Sequence, residues 1–421
     1  MNILMVTNTF APHVGGVARS VSAFTAEYQR RGHRVLVVAP EFEDQPENEA
    51  NVIRIPAIQN FNGSDFSVAL PVPRFLRSEI EDFGPDVIHS HHPFLLGATA
   101  VRVAHFYDRP LVFTHHTRYE QYTHYVPGDS PALKRFVIDL ATHYANLCDS
   151  VVAPSQSIAD LLQQRGVRAP IIVIPTGVDV SRFAEGDGAA FRTAAGIPVD
   201  SFVIGHVGRL APEKNLSFLT DAVIAFLTRH PQAYFLLAGR GPLEVQLRRH
   251  FEESGLAARL HMTGILEGMR LVDAYHAMDA FVFASKSETQ GMVLTEAMAA
   301  GTPVIALDAP GVRDVLRDRR NGRLLKEDAS VDAFCGALEW QFSMPKSARN
   351  QLTTEAVDTA QAFSLDRSAK RSLDLYARVA RDQRVDRRKP YRLWAATRRL
   401  IATEWELLKG ISEATGAALQ P

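Results

Sequence analysis

The chain has 421 residues, 46% of them hydrophobic and 22% charged, which is the composition of an ordinary globular protein. A single hydrophobic core rarely serves so long a chain, so two domains are expected. The formal net charge of −1 argues against a nucleic-acid binder, because such proteins usually carry a basic excess. No apolar run approaches the roughly 18 residues that a membrane-spanning helix needs.

The cysteines and the start of the chain indicate a reducing compartment. Cys148 and Cys335 lie far apart without a CxxC neighbour, so both are expected to be reduced thiols. The first residues predict a strand, the first basic residue is Arg19, and no secretory signal pattern precedes the strand. We therefore expect a cytoplasmic protein, at most attached peripherally to the inner face of the cell membrane.

Short apolar runs alternate with helix-length amphipathic segments, as in parallel sheets built from βαβ units. The first half has predicted strands at Ile3–Thr7, Arg34–Ala39, Val52–Ile55, Asp86–His89, Leu111–Thr114, Ser150–Ala153 and Ile171–Ile174. The second half has them at Phe202–Val207, Tyr234–Ala238, Leu260–Thr263, Ala280–Ala284 and Pro303–Leu307. Only helical patterns follow Val331. The sequence thus predicts two doubly wound α/β domains and a helical tail.

A stretch rich in glycine, aspartate and alanine, Glu185–Ala190, separates the two halves. We place the hinge near 180–198, because such composition is typical of linkers. The predicted domains are residues 1–185 and 186–365, followed by the tail, 366–421.

Two glutamates flank a predicted strand–loop–helix junction in the second half. The segment Ser285–Gly301 (SKSETQGMVLTEAMAAG) places Glu288 in the loop and Glu296 about one turn into the helix. The helix start would present backbone N–H groups that attract an anion, while the carboxylates accept hydrogen bonds from hydroxyls. A nucleotide sugar combines these groups. The alternative is an ordinary strand–loop–helix unit with two exposed glutamates.

Two cations follow the strand that opens the second half. In Gly205–Asn215 (GHVGRLAPEKN), Arg209 lies in the turn and Lys214 five residues later. A diphosphate leaving group gains negative charge as its bond to the sugar breaks, so fixed cations stabilise the transition state more than the ground state. The alternative is two solvated surface cations.

A glycine pair and a group of histidines mark the first half. Gly15 and Gly16 stand at a strand-to-helix turn that lacks the GxGxxG fingerprint of dinucleotide-binding proteins, yet glycines there let a ligand approach the backbone. Six histidines, His89, His91, His92, His115, His116 and His124, invite a metal interpretation. We disfavour it, because no Asp-x-Asp and no nearby carboxylate cluster completes a site.

These motifs together resemble the retaining glycosyltransferases of family GT4, whose E-x7-E signature matches Glu288 and Glu296. The resemblance implies a GT-B fold, two Rossmann-like domains facing a cleft, and front-face transfer without a metal or other cofactor. It implies that Glu288 contacts the donor sugar, Glu296 the ribose, and Arg209 with Lys214 the diphosphate. The other implied donor-side positions are Gly15, Gly16, Gly239, Ile265, Gly291, Met292, Val293 and Leu294.

The segment Thr114–Tyr125 (THHTRYEQYTHY) resembles the diacylglycerol glucosyltransferases within GT4. That resemblance places His116 at the donor sugar and Tyr119, Tyr122, His124 and Tyr125 on the acceptor side. It implies UDP-glucose as donor and diacylglycerol as acceptor. The tyrosines could instead cover the core.

The C-terminal segment Arg381–Lys409 carries nine Lys/Arg and four Asp/Glu, a local charge of +5. Its apolar residues Leu393, Trp394, Leu400, Ile401, Trp405 and Leu408 share one helical face. A basic amphipathic helix with tryptophan indicates an anionic membrane surface. The alternative is packing of this helix on the first domain.

The expected partners are therefore a nucleotide-sugar donor, a lipid acceptor and an anionic membrane surface, but no nucleic acid. Three other functions stay open: a GT4 transferase for another lipid or a polysaccharide, a non-transferring sugar-nucleotide epimerase, and a membrane-bound adaptor without catalysis. The intact Arg209, Lys214, Glu288 and Glu296 favour transfer.

Overall fold

Short apolar segments that end in glycine or polar residues form the strands. The computed structural model describes residues 1–13, 15–58, 68–69, 76–123, 130–286, 288–386 and 393–418. The strands are β1 Asn2–Val6, β2 Arg34–Pro40, β3 Val52–Ile55, β4 Ala57–Ile58, β5 Val68–Ala69, β6 Val87–Ser90, β7 Leu111–Thr114, β8 Ser150–Ala153, β9 Ile171–Val173, β10 Phe202–Val207, β11 Ala233–Ala238, β12 Leu260–Gly264, β13 Ala280–Phe283, β14 Val304–Leu307 and β15 Gly322–Leu325.

Helices connect most of the strands and continue to the C-terminus. They are α1 Gly16–Arg30, α2 Leu76–Phe83, α3 Leu96–Tyr107, α4 Pro131–Asn146, α5 Gln156–Gln164, α6 Val180–Ala184, α7 Gly188–Ala195, α8 Leu216–Arg229, α9 Glu244–Glu253, α10 Gly268–His276, α11 Met292–Ala299, α12 Val312–Val315, α13 Val331–Phe342, α14 Lys346–Ala362, α15 Leu365–Asp386 and α16 Leu393–Ala418. Short 3-10 turns at Tyr119–Gln121 and Pro212–Lys214 carry residues of interest.

The chain divides into two units, one formed by Met1–Pro175 with Leu365–Pro421 and the other by Thr176–Ser364. The first unit is interrupted after Pro175, ten residues before the predicted domain boundary at 185. The N–H of Val178 bonds the carbonyl of Phe363 at 3.0 Å, and Val180 and Phe183 are buried in the core of the second unit. These contacts assign residues 176–184 to the second unit.

The first unit contains a parallel seven-stranded sheet in the order β3-β2-β1-β6-β7-β8-β9. Alternate side chains of β1 enter different cores, Leu4 and Val6 on one face and Ile3 and Met5 on the other. Strands buried on both faces need helices on both sides, which is the doubly wound arrangement. Here α1 and α15 cover the face that carries Ile3.

The tail belongs to the first unit. Tyr376 of α15 is fully buried and contacts Tyr28 of α1. Helix α16 packs against α3 and α4, where its Glu404 pairs with Arg102 at 2.5 Å and Gly410 lies against the His143 ring. A side chain at Gly410 would collide with that ring, so glycine permits the close approach of the two helices.

The second unit contains a parallel six-stranded sheet in the order β12-β11-β10-β13-β14-β15. Its strands are also buried on both faces, with Val203 and Phe281 in one core and Ile204 and Val282 in the other. The prediction of two doubly wound α/β domains with a helical tail is therefore confirmed.

Both cysteines are free, as predicted, and both are buried. Over the residues whose structure is described, no helix combines the length and the apolar character required to cross a bilayer.

Candidate active site

Each sheet has a point where the strand order reverses, between β1 and β6 in the first unit and between β10 and β13 in the second. Open α/β sheets bind ligands at such points, outside the carboxyl ends of the strands. Gly15 and Gly16 follow β1, whereas Arg209 and Lys214 follow β10 and Glu288 follows β13. The residues singled out from the sequence thus lie at the favoured positions of both sheets.

Lys214 and Glu288 form a largely buried ion pair in the second unit. The Nζ of Lys214 lies 2.5 Å from Oε1 of Glu288, and the side chains are 19% and 16% exposed. Burial alone would raise the pKa of Glu288, but the charge and hydrogen bond of Lys214 outweigh it and lower the pKa. Glu288 is therefore ionised at neutral pH and holds the cation in place.

Hydrogen bonds join the two loops that carry this pair. The side chain of Asn215 donates to the carbonyl of Ala284 at 3.3 Å, and Ser285 Oγ donates to the carbonyl of Glu213 at 3.3 Å. Arg209 lies half-buried in the turn before them, and the N–H of the next residue, Leu210, bonds the carbonyl of Arg240. The backbone thus presents Arg209, Lys214 and Glu288, here called the charged cluster, from fixed loops.

Glu296 occupies the fifth position of α11 and is almost fully buried. Its Oε2 accepts a hydrogen bond of 2.8 Å from the hydroxyl of Tyr275, which is itself completely buried in α10. A hydroxyl donor of this kind fixes the orientation of the carboxylate. Glu296 therefore presents its oxygens in a defined direction, as recognition of a ribose requires.

The loop before α11 is pinned by Gln290. Its buried side chain bonds both the N–H and the carbonyl of Thr176. Gly291 then adopts a left-handed φ of +72°, and α11 begins at Met292. Because the first turn of a helix leaves N–H groups without intrahelical partners, the backbone from Gly291 to Val293 suits an anion or sugar oxygens. The N–H of Leu294 bonds the carbonyl of Gly291 at 2.9 Å instead.

Two of the predicted donor-side positions, Gly239 and Ile265, differ in character. Gly239 has a φ of +143°, and a side chain there would collide with the carbonyl of Gly208, so the protein's own backbone requires this glycine. Ile265 directly follows β12 and is 51% exposed.

The two glycines of the first unit, Gly15 and Gly16, differ in how much space surrounds them. A Cβ on Gly15 would lie 2.9 Å from Nε2 of His13, whereas a Cβ on Gly16 would meet no atom of the described residues within 4 Å. Arg54 steadies the preceding loop by donating to the carbonyl of Ala11 at 2.6 Å while it pairs with Glu49. Gly16 thus has no steric reason within its own unit to be glycine.

Five histidines at the ends of β6 and β7 form what we call the histidine cluster: His89, His91, His92, His115 and His116. Both ring nitrogens of His89 are engaged, by the Tyr376 hydroxyl at 2.5 Å and the Thr114 hydroxyl at 2.7 Å. His116 is half-buried, and its Nε2 lies 2.8 Å from Nδ1 of His91. Within the described ranges, no group of three or more His, Cys, Asp or Glu side chains is placed to hold a metal ion.

The predicted acceptor-side residues differ in how far the structure supports a role at the acceptor. Tyr119 packs edge-on against Phe94 and His115, and its hydroxyl is buried without a hydrogen bond, which favours the packing alternative. Tyr122 is half-buried. His124 and Tyr125 lie outside the described residues.

The sequence motifs gave no side-chain role to three residues that support the second-unit site: Tyr275, Gln290 and His206. Tyr275 lies 21 residues before Glu296, and Gln290 bonds a residue 114 positions away. His206 is buried in β10, where burial lowers its pKa to about 4, and its Nδ1 donates to the carbonyl of Val282. Only the fold brings such partners together.

Two Rossmann-like domains with a buried cation–carboxylate cluster at a strand-order reversal define a glycosyltransferase of the GT-B class. Residues 14–182 match the model of Glycosyltransferase Family 4, and residues 188–357 match that of Glycosyl transferases group 1. The chain belongs to glycosyltransferase family GT4 and is a hexosyltransferase.

Curated relatives share about 30% of their residues with this chain. The alpha-monoglucosyldiacylglycerol synthases of Streptococcus pneumoniae and Acholeplasma laidlawii are each 29% identical, over 77% and 76% of this chain and 75% and 84% of those proteins. A GDP-mannose-dependent alpha-mannosyltransferase of Mycobacterium tuberculosis is 31% identical, over 77% of this chain and 84% of that protein.

Solved structures agree on the fold. The structure of Anabaena Alr3699/HepE in complex with UDP is 20% identical with a TM-score of 0.71, covering 90% of this chain and all of that one. Sucrose-phosphate synthase from Thermosynechococcus elongatus is 19% identical with a TM-score of 0.72, covering 90% and 99%.

Proposed function

We propose that the protein transfers glucose from UDP-glucose, with retention of configuration, to a lipid hydroxyl such as that of diacylglycerol. The observation that carries this proposal is the buried Lys214–Glu288 pair at the strand-order reversal of the second unit, with Arg209 in the adjoining turn. The similarity to two alpha-monoglucosyldiacylglycerol synthases supports the choice of sugar and acceptor.

The charged cluster would act on the leaving group. The bond between C1 of the sugar and the phosphate oxygen breaks, and the nucleoside diphosphate departs with the electron pair. Arg209 offers a planar fork and Lys214 a point charge to the oxygens that gain charge. The acceptor oxygen bonds C1 on the same face, and its proton passes to the departing phosphate.

The remaining residues would bind and orient the substrates. Glu296 holds the ribose hydroxyls, the backbone around Ile265 bonds the edge of the base, and the backbone from Gly291 to Val293 bonds sugar or phosphate oxygens. In the first unit, His116 contacts the sugar, and the segment that follows Tyr119 lies on the acceptor side.

A second donor is favoured by one observation, the 31% identity to a GDP-mannose-dependent mannosyltransferase. The deciding experiment incubates purified protein with radiolabelled UDP-glucose, UDP-galactose, GDP-mannose or ADP-glucose and a total lipid extract, and resolves the products by chromatography. Label from UDP-glucose in a diacylglycerol product supports the first proposal. Label from GDP-mannose alone selects the second, and no labelled lipid from any donor refutes lipid glycosylation.

We expect EDTA to leave the rate of transfer unchanged, because Arg209 and Lys214 neutralise the leaving group without a metal ion. The measurement compares initial rates with and without chelator, after dialysis against chelator. Loss of activity that Mg²⁺ or Mn²⁺ restores would contradict this expectation.

Gly16 provides a test of ligand approach in the first unit. Alanine there meets no atom within 4 Å, so Gly16→Ala should leave stability unchanged or slightly higher. If the donor packs against this backbone, an added methyl displaces it, and kcat/KM should fall by about a hundredfold. Gly336→Ala is the matched control, since Gly336 in α13 is equally open. Full activity of Gly16→Ala would remove this turn from the site.

We further propose that α16 rests on an anionic membrane surface. Its Thr403, Gly410 and Ala414 are turned inward and buried, while Trp405 and Leu408 are 67% and 60% exposed. The two exposed side chains are three residues apart and so share a side of the helix. The local charge of +5 over 381–409 complements anionic lipid.

We expect the double substitution Trp405→Ser with Leu408→Ser to reduce binding to anionic liposomes by about tenfold or more, because burial of both side chains is lost. Co-sedimentation with phosphatidylglycerol-containing vesicles measures the change. Val245→Ser is the control, as Val245 is 70% exposed on α9. Deleting the residues after Lys389 is a poorer test, because α16 covers α4. Unchanged sedimentation of the double variant would exclude this surface.

A further inference from the structure

The hydrogen bond between His91 and His116 joins two loops of fixed backbone. β6 and β7 pair in parallel register, with Ser90 opposite Phe113. Beyond them, the N–H of His91 bonds the carbonyl of Val6 at 2.9 Å, and that of His115 bonds the carbonyl of Val152 at 3.0 Å. The two imidazoles therefore meet with their rings stacked, 5.1 Å between centroids and 27° between planes.

Both imidazoles are neutral at physiological pH. Burial lowers the pKa of each well below the usual value, and the charges of neighbouring histidines lower it further. A neutral imidazole has one N–H donor and one acceptor nitrogen, so one of the two rings must donate in this hydrogen bond. Which ring donates decides which nitrogen of His116 carries its proton.

The other nitrogen of His91 decides between the two arrangements. His91 is 1% exposed, and its Nε2 is buried without a hydrogen-bond partner among the residues that the structure describes. A proton on that nitrogen would be a buried donor without an acceptor, which costs more than an acceptor without a donor. The proton of His91 therefore resides on Nδ1 and is donated to Nε2 of His116. His116 must then carry its own proton on Nδ1.

We infer that His91 is a positioning residue that fixes His116 as the Nδ1–H tautomer, so that His116 is a hydrogen-bond donor to a hydroxyl oxygen of the donor sugar. This inference rests on the proposed function for its consequence, but not for the tautomer itself. The opposite tautomer would present a lone pair at Nδ1 and would select a hydroxyl proton instead of a hydroxyl oxygen.

The first arm of the test observes the tautomer without any substrate. Protein labelled with [15N]histidine gives two-bond 1H–15N correlations that distinguish Nδ1–H from Nε2–H, and the signals of His116 are those lost in His116→Gln. We expect Nδ1–H in the unaltered protein and loss of this preference in His91→Leu. Replacing the neighbouring His115 with phenylalanine should leave the His116 signals in the Nδ1–H pattern. A His116 protonated at Nε2 in the unaltered protein overturns the inference.

The second arm measures kinetics with UDP-glucose. We expect His91→Leu to lower kcat/KM for the donor about tenfold, the effect of one misdirected hydrogen bond. His91→Asn retains an N–H near the position of Nδ1, so its kcat/KM should be close to that of the unaltered protein. The leucine and asparagine variants are compared only if their stabilities in urea are equal. Equal rates for the leucine and asparagine variants overturn the positioning role. If the unaltered protein does not use UDP-glucose, the proposed function fails, and the spectra still decide the tautomer.

Discussion

Replacing Arg209 with alanine is expected to lower kcat by about two to three powers of ten while the protein stays folded. Arg209 lies in the turn that follows β10, five residues before Lys214 of the Lys214–Glu288 pair, where the proposed diphosphate gains charge during the reaction. An interaction that strengthens only in the transition state changes kcat more than KM. Steady-state rates with UDP-glucose and the accepted lipid measure this separation.

The matched control for this prediction is Arg248→Ala. Arg248 is exposed on α9, so its removal takes the same charge from the same unit without touching the charged cluster. Circular dichroism should superimpose for both variants. A near-normal kcat for Arg209→Ala, or an equal loss in Arg248→Ala, would show that Arg209 does not act on the leaving group.

Much of the architecture follows from local patterns. The strand β1 is apolar on both faces, and a glycine turn and an amphipathic helix follow it, which is enough to predict one βαβ unit. The same pattern recurs along the chain, so the parallel sheets could be predicted. The edge strand β15 (GRLL) was missed, because it is short and carries a charge. Helix α3 has weak sequence signals at its start, because its first turn has no acidic residue and its N-cap, Leu95, makes no capping hydrogen bond.

The candidate site was predictable only in part, for a physical reason. Glu288 and Glu296 lie on one strand–loop–helix unit, so their spacing in sequence fixes their spacing in space. Tyr275 and Gln290 act across the fold, and no periodicity links them to their partners. Gly239 was predicted from the sequence as a ligand-binding position, but the structure gives another reason for glycine there. A side chain at Gly239 would collide with the backbone of Gly208 whether or not a ligand binds.

Acid should destabilise the first unit strongly, in a pH range set by its buried histidines. Burial lowers the pKa of His89 and His92 to about 3 and of His115 to about 4, and lowers those of His91 and His116 well below 6.5. Because each folded pKa lies below the unfolded value, the unfolded state binds more protons between the two values. Stability is therefore complete above about pH 6.5 and declines as the pH falls below it.

The size of this loss follows from proton linkage. Each histidine contributes about 1 kcal/mol per pH unit below its unfolded pKa. Going from pH 7 to pH 5.5, the five residues together should remove roughly 5 kcal/mol, a large share of the stability of a typical domain. Carboxylates with lowered pKa values, such as Glu120, add to the loss only nearer their unfolded value of about 4.5. The loss of stability between pH 6.5 and 5 is therefore caused mainly by the histidines.

Hydrogen exchange resolved by peptide measures this loss in each unit separately. Peptides covering β6 and β7 should lose protection between pH 7 and 5.5, after correction for the intrinsic exchange rate. Peptides covering β10 and β13 should lose less protection, because these strands have one buried histidine nearby, His206, whereas β6 and β7 have several. Equal losses in both units would contradict the prediction.

His115→Phe tests the cause directly. Both ring nitrogens of His115 are buried without hydrogen bonds, and its ring packs edge-on against Phe113 and Tyr119, so phenylalanine keeps the aromatic contacts. Any destabilisation caused by the larger phenylalanine ring is the same at every pH. Loss of the titrating imidazole, in contrast, lowers by one the number of protons taken up on unfolding, so the free energy of unfolding depends less on pH. The stability of this variant should consequently fall less between pH 7 and 5.5, by about 1 kcal/mol. An unchanged slope would mean that His115 binds a proton equally well in the folded and unfolded chain.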